Sequence, residues 1–391
     1  MASTEPKAVA KPPKGPGLLR RLYNGDTDID FVGRRKIWYG VSVLVVIASI
    51  GLGVAKGFNF GIEFAGGNQF EASVVDGVDL VEVRETVEEY GVEVASSQTA
   101  GSGDSARYIV RTEGLPTQQS NEIREAIAIM FYAQENGLEP GDVDPELVNV
   151  DEIAVSEVSS SWGSAVSEKA LSALGVFLVL VTAYLWWRYD RKYAAGALVA
   201  LVHDLILTAG VYSLVGFEVT PGTVVGILTI LGYSLYDTVV VYDKVHENTR
   251  EAMAGVRTTF SSAANSAINQ TLMRSINTSI IGLLPVAGLL FVGAGVLGVG
   301  TLNDLALVLF VGMLAGTYSS LFLAVPAVVD LKYREPGVRA QARKVGERKT
   351  AERKSAKKET VAADASEERV TVSVGSGAPR PGARPVRKKK R

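Results

Sequence analysis

Asp237 stands inside an apolar run, Thr223 to Tyr242, which at about 20 residues is long enough to cross a bilayer. A carboxylate at that depth costs about 3 kcal/mol or more, so an acid there marks a proton or ion path by default. The alternative is an acid close to a helix end that reaches out to headgroups, because Asp243 and Lys244 follow within two turns. His203-Asp204 is a second acid-bearing pair, in the run Ala194 to Phe217. It reads either as a polar pair hydrogen-bonded to neighbouring helices or as a secondary stop on a proton path. A metal site is disfavoured, because the chain has 2 histidines and the other, His246, falls beyond the apolar run. The sequence holds no cysteine, which excludes disulfides and thiolate ligands and leaves the redox compartment open. On these residues no metal site is expected.

Such side chains need membrane helices around them, and the composition supplies these. Of 391 residues 47% are hydrophobic, and the formal net charge is only −2. The small net charge hides a segregation. Phe60 to Glu168 carries 22 acids against four arginines and no lysine, whereas Leu331 to Arg391 carries 19 Lys and Arg against seven acids. Met1 to Lys36 is Lys/Pro-rich, closes on Gly33-Arg34-Arg35-Lys36 and precedes the apolar stretch Ile37 to Ala55. That stretch is too long and too far inside the chain for a signal peptide, and no Ala-x-Ala exit follows it. It predicts a first crossing with the N-terminus in the cytoplasm. Five further crossings are expected at Ala170 to Trp187, Ala194 to Phe217, Thr223 to Tyr242, Ser275 to Val296 and Thr301 to Val329. The basic loops 188–192 and 243–274 lie inside, and Gly216 to Gly222 and Gly293 to Gly300, without Lys or Arg, lie outside. Trp186, Trp187 and Tyr189 would form an aromatic belt at one interface.

The acidic segment 57–169 reads as a folded extracytoplasmic domain. Asn68 to Val75 has strand character, and Asp79 caps a helix to Tyr90 with Leu80, Val83, Val87 and Tyr90 at helical spacing. Val92 to Ser97 and Arg107 to Thr112 read as strands joined by the turn-rich Thr99 to Ser105. Thr117 to Glu135 is a helix turning Ile123, Ile127, Met130 and Phe131 inward, and Leu147 to Val158 a long last strand. The order is βαββαβ, the α+β ferredoxin-like arrangement, which by itself carries no chemistry. The fold class expected is an α-helical integral membrane protein of six transmembrane helices, with that domain between helices 1 and 2. The tail 331–391 is expected to be a basic, disordered cytoplasmic segment that holds anionic lipids or simply stays solvated.

Five ordered motifs between about Asp30 and Lys332 carry a family resemblance. Gly57-Phe-Asn-Phe-Gly-Ile-Glu-Phe-Ala-Gly-Gly67 resembles the Gly-x-Asn-x-Gly-Ile-Asp-Phe-x-Gly-Gly signature of the SecF family of bacterial protein export, with Gly61, Glu63, Phe64, Gly66 and Gly67 as its core. Gly232-Tyr-Ser-Leu-Tyr-Asp-Thr-Val-Val-Val-Tyr-Asp-Lys-Val-His-Glu-Asn248 is similar to that family's Gly-Tyr-Ser-Ile-Asn-Asp-Thr-Val-Val-Val-Phe-Asp-Arg-Ile-Arg-Glu-Asn. His203-Asp204, Arg274-Ser-Ile-Asn-Thr-Ser279 and Gly316-Thr-Tyr-Ser-Ser320 match three more. The resemblance implies a SecD–SecF heteromer of the resistance-nodulation-division (RND) type. It would act beside the Sec channel (SecY, SecE, SecG) and the SecA-driven machinery on preprotein substrates, surrounded by membrane lipids, with no specific nucleic acid. It implies a transport role with no catalytic residue in the enzymatic sense and no cofactor, protons serving as coupling ion, with Asp237 carrying them and Arg274 as its charged partner. His203, Asp204, Tyr233, Ser234, Tyr236 and Thr238 are the supporting intramembrane polar residues, and Gly316, Thr317, Tyr318, Ser319 and Ser320 the last-helix signature.

Three positions depart from the pattern: Tyr236 stands for the usual Asn, Glu63 for Asp, and Ser159-Ser-Ser-Trp-Gly163 for a Gly-Pro turn. Two rival classes share features. Tyr236-Asp237 with Gly101-Ser-Gly-Asp104 supplies both halves of an intramembrane aspartyl protease signature, but Asp104 falls in a polar, turn-rich stretch, whereas a dyad shares one site. An RND-type small-molecule or lipid exporter shares the architecture, but this chain has half the crossings and one domain of about a hundred residues, too little for a substrate channel.

Overall fold

The structure, a computed structural model, describes residues 27–100, 103, 106–294 and 303–373, the side chains of 294, 303 and 358–373 excepted. Among the described residues six helices are long and apolar enough to cross a membrane, as a multi-pass membrane protein requires: Arg35–Lys56, Ser160–Arg188, Arg191–Val215, Pro221–Ala254, Phe260–Gly293 and Asp304–Lys332. All six expected crossings are present, and most helices are longer than their apolar runs. Hydropathy fixes the part in lipid, while caps fix the ends. The helix α1 (Arg35–Lys56) ends at Gly57, and α5 (Ser160–Arg188) begins where the Ser159 hydroxyl accepts from Trp162 N–H. The α6 helix (Arg191–Val215) starts at Asp190, whose carboxylate accepts from Lys192 and Tyr193. The α7 helix (Pro221–Ala254) opens on a Thr220 capping box followed by proline and runs well past Tyr242, with Lys244 and Glu247 paired on its polar end. The α8 helix (Phe260–Gly288) passes Pro285 into a π-helical turn, Leu289–Ala294. The last crossing is α9 (Asn303–Ser319), a π-turn Ser320–Ala324, and α10 (Val325–Lys332).

The elements between α1 and α5 are β1 (Asn59–Phe60), α2 (Ile62–Ala65), β2 (Gly67–Ser73), α3 (Leu80–Glu88), β3 (Val94–Ala100), β4 (Arg107–Thr112), α4 (Thr117–Asn136) and β5 (Ala154–Val158). From β2 onward the order is βαββαβ. The four strands pair antiparallel in the spatial order β3-β4-β2-β5. Asp79 caps α3 in a capping box with Glu82, as its position predicts. Phe70, Val83, Val87, Tyr108, Val110, Ile123, Ile127 and Phe131 form the core, with Leu80 and Met130 at its margin. Two expectations fail here. Tyr90 is 39% exposed, because α3 ends before it and the helical phase no longer holds. The long last strand shrinks to Ala154–Val158, since 3-10 turns opened by Pro140, by Pro145 and by the Asn149 side-chain cap occupy the chain upstream.

A further correction concerns the tail. Its first part is not a disordered chain but a helix, α11 (Pro336–Ser373). Val338 and Val345 are buried, and Gln341 between them donates to the carbonyls of Ala252, Gly255 and Thr258 at 2.9, 3.3 and 2.7 Å. These three positions share one helix face, so two valines and one amide suffice to seat a helix that is otherwise polar and carries Arg343–Glu347 and Arg348–Glu352 pairs. The segments 1–26 and 374–391, and most of the Gly293 to Gly300 loop, lie outside the described residues.

Ahead of α1, Phe31 and Val32 are buried against the helix bundle. The Asn265 and Asn269 side chains of α8 pin that approach by hydrogen bonds to the backbone of Ile29, Phe31 and Val32.

Candidate functional site

Helices α7, α8 and α9 pack along one another, with α6 across the last, and their shared interior is lined by small polar residues. Asp237 is 4% exposed and about 24 Å along α7 from its N-terminus, with the helix continuing beyond it, so it does not reach for headgroups. Its carboxylate accepts from the Ser275 hydroxyl of α8 at 2.8 Å and from the Ser320 hydroxyl of the last crossing. One turn earlier on the same face, Ser234 donates at 2.7 Å to Asp204 of α6, which accepts a second 2.7 Å bond from Ser319. Asp204 Oδ1 also lies 3.1 Å from His203 Nδ1. Two buried carboxylates thus stand on either side of the consecutive serines 319 and 320.

The geometry has a local cause. Consecutive helical residues point about 100° apart, so Ser319 and Ser320 address different neighbours. The π-turn begins at Ser320, a departure from α-geometry found often at functional positions. Gly316 allows α9 to approach α7, since a Cβ there would lie 2.8 Å from the Ser234 Cβ. Thr317 is 2.7 Å from the Ser279 hydroxyl of α8, and the Tyr318 hydroxyl reaches the Trp38 carbonyl at 3.2 Å. The five residues of the last-helix signature therefore touch four other helices: Gly316 and Ser320 meet α7, Thr317 α8, Tyr318 α1 and Ser319 α6.

The other sequence candidates separate into two groups. Thr238 is buried beside Asp237, and Tyr233 turns a hydroxyl into the interior, where it finds no partner among the described residues. His203 stacks near Tyr318, at 5.9 Å between rings, and its Nε2 is buried without a partner. Tyr236 does not join them: it is 53% exposed on the outer face of α7. Arg274 is also exposed, and it makes no ion pair with Asp237; the position next to it, Ser275, holds the carboxylate instead. The expected charged partner thus forms no salt bridge with the acid among the described residues, while its charge still reaches the Asp237 carboxylate. No second acid touches Asp237 either, since Asp204 has its own serine donors, and Asp104 lies outside the described residues.

The glycine signature lies at the join between domain and membrane. Gly66 and Gly67 have φ of 76° and 116°, and a side chain at Gly66 would meet the Ser160 backbone at 2.7 Å. Glu63 stands on α2 facing Glu218 of β6 (Glu218–Val219), the strand that pairs in parallel with β1. Burial pushes the Glu218 carboxyl up to about 7; Arg111 opposes this and Asp304 and Glu63 add to it. Sequence reasoning passed over Arg111, Glu218 and Asp304, whose only sign was an acid alone in a short loop between two apolar runs.

Comparison with known proteins agrees with the motifs. A family model described as "Protein export membrane protein SecD/SecF, C-terminal" matches residues 143–334, and one for the "SecD/SecF GG Motif" matches 51–78. The chain is 47% identical over 84% of its length to "Protein translocase subunit SecF" of Streptomyces coelicolor, covering 83% of that protein. It is 44% identical over 95% of its length to the protein of the same name from Mycobacterium tuberculosis, covering 86% of it. A crystal structure of SecDF from Thermus thermophilus superposes with a TM-score of 0.67 at 29% identity, covering 79% of this chain and 39% of that one. By these matches the chain belongs to the SecF family of protein translocase subunits.

Proposed function

We propose that the chain, with a SecD-like partner, uses the proton motive force to assist preprotein translocation through the Sec channel, and that Asp237 carries the proton. In this reading both termini face the cytoplasm of a bacterial cell membrane. The βαββαβ segment is a ferredoxin-like domain on the outer side. The observation that supports it is a buried acid held only by hydroxyls from two other helices, Ser275 and Ser320. Hydroxyls serve as donors to an ionised carboxylate and as acceptors from a protonated one, so the site tolerates both states without rearranging its heavy atoms. Desolvation favours the neutral acid and an approaching guanidinium the ionised one. A rotation of α8 that turned Ser275 away would carry the adjacent Arg274 toward Asp237, because neighbouring helical residues point about 100° apart. Proton binding and release then become coupled to a movement of α8. One charge crossing 100 mV supplies roughly 2.3 kcal/mol, enough to bias a two-state element more than tenfold.

Asp237→Asn keeps size and hydrogen bonding and removes the titration. It is expected to leave the protein inserted while abolishing the gain in preprotein translocation that a proton gradient gives membrane vesicles at constant ATP. Full retention of that gain would make the aspartate structural and end the proton-carrying reading.

A further inference from the structure

The face of the four-stranded sheet away from α3 and α4 bears Gln69, Arg111 and Ser96 side by side on three adjacent strands. Arg111 is 4% exposed, and its guanidinium donates to Gln69 Oε1 at 2.8 Å, to Ser96 Oγ at 3.3 Å and to the Glu218 carboxylate. Glu218 belongs not to the domain but to the turn between the membrane helices α6 and α7. The charged groups around it come from three other elements: Arg111 of β4, Glu63 of α2 and Asp304 at the start of α9. The Asp304 carboxylate accepts the Glu218 N–H at 3.1 Å, and the Thr223 hydroxyl of α7 donates to the Glu218 carbonyl at 3.2 Å. Glu63 Oε2 is buried with no hydrogen-bond partner among the described residues, and Gly61 leaves no room for a Cβ between it and Glu218 Oε1. Three carboxylates therefore crowd around one guanidinium at the join between the sheet and the membrane helices.

We propose that Arg111 and Glu218 form a proton-controlled clasp: seating of the βαββαβ domain on the membrane helices takes up a proton on Glu218, and lifting of the domain releases it. When the domain lifts, Arg111 leaves and water reaches Glu218, which returns to the ordinary carboxylate range. Seated, burial and the two neighbouring acids outweigh Arg111, and Glu218 titrates at about 7. The sign follows from linkage. The seated state binds the extra proton between about pH 4.5 and 7, so seating strengthens as pH falls through about 7 and weakens above it. From pH 8 to pH 6 the seating equilibrium gains roughly tenfold. On the outer face of an energised membrane this favours the seated domain. The clasp gives the proton a mechanical consequence on the domain side, separate from Asp237, and rests on the proposed function only for that orientation.

The test uses the full chain in bilayer nanodiscs. Because the sequence has no cysteine, spin labels can be placed on cysteines introduced at Leu138 of the domain and Val54 at the end of α1, both exposed. Distance distributions between them are measured from pH 5 to pH 8.5 with no gradient. The expected result is two populations that exchange weight as pH falls below about 7, with a midpoint between the lifted and seated carboxylate values. Glu218→Gln should lock the acidic distribution at every pH. Glu63→Gln, which removes a like charge, should move the midpoint down, and Arg111→Gln, which removes the opposing cation, should move it up. Asp237→Asn should leave the transition in place, so this proposal and the proton-carrying reading fail separately. A single pH-independent distribution in the unsubstituted chain, or a transition unaltered by Glu218→Gln, overturns the clasp.

Discussion

Asp237 and Asp204 each accept from two serines, and the two donors of each pair come from different helices. Losing one donor leaves a buried acceptor short of a partner at a cost of about 1–3 kcal/mol, too little to unfold the bundle but enough to disturb its proton equilibrium. Ser275→Ala is therefore expected to insert and fold normally and to cut gradient-dependent translocation several-fold, read as the difference between vesicles with and without a gradient. Arg274→Met should be as severe as Asp237→Asn in that assay if α8 rotates, and the double variant no worse than either, because both act on one unit. Additive losses would show two independent roles. Tyr236, which replaces an amide in the family pattern, lies on the exposed face of α7. Tyr236→Phe should change the same readout by less than about twofold, the range of an exposed substitution. The sequence singled out the acid and three of the four serines around the two carboxylates, Ser234, Ser319 and Ser320. It did not identify which of Arg274 and Ser275 faces Asp237, since adjacent helical residues differ only in phase and phase is set by packing.

At the scale of elements, periodicity located α3 and α4 because their apolar faces repeat at helical spacing and pack on one side of a sheet. Ile127 is 1% exposed at the centre of that packing. Ile127→Asp buries an unpaired charge and is expected to abolish the cooperative melt of the isolated segment 67–159, a loss of about 4 kcal/mol or more. A native-like melt would place Ile127 outside the core. The tail helix is the counterexample. Its composition reads as disordered, yet Val338, Gln341 and Val345 dock it under the α7–α8 connection, where the Gln341 amide nitrogen lies within hydrogen-bond distance of the Ala252, Gly255 and Thr258 carbonyls at the chain reversal. Gln341→Ala should raise hydrogen exchange across 252–259 while leaving the transmembrane segments protected. Unchanged exchange there would mean that the two valines alone seat the helix. Composition averages over a window, whereas docking needs only three residues on one face, which is why the average misled.

For the whole molecule, the Lys/Arg asymmetry between loops predicts orientation. A reporter active only outside the cell should work when fused after Thr112 and stay silent after Arg250 or Arg339; activity at Arg250 would overturn the arrangement with both termini inside. The outward apolar faces of α1, α5 and α8, with Leu44, Leu171, Ile281 and Leu284 more than two-thirds exposed, leave ample surface for lipid and for a second membrane subunit. Gentle extraction is expected to bring a SecD-like protein with the chain.

The number of crossings, the βαββαβ order and the position of the membrane acid were all legible in the chain. Each depends on patterns local to one segment: run length, period and a charge where none is tolerated. What joins those segments was not legible. That Ser319 and Ser320 divide between two acids, that Ser275 rather than Arg274 bonds to Asp237, and that an arginine of the sheet closes on Glu218 of a membrane turn 107 residues away are relations between faces of different elements. They are set by helix phase, by close approach at glycines and by the folding of a strand-rich segment onto a helix end. No local pattern records these, so tertiary packing alone decided them.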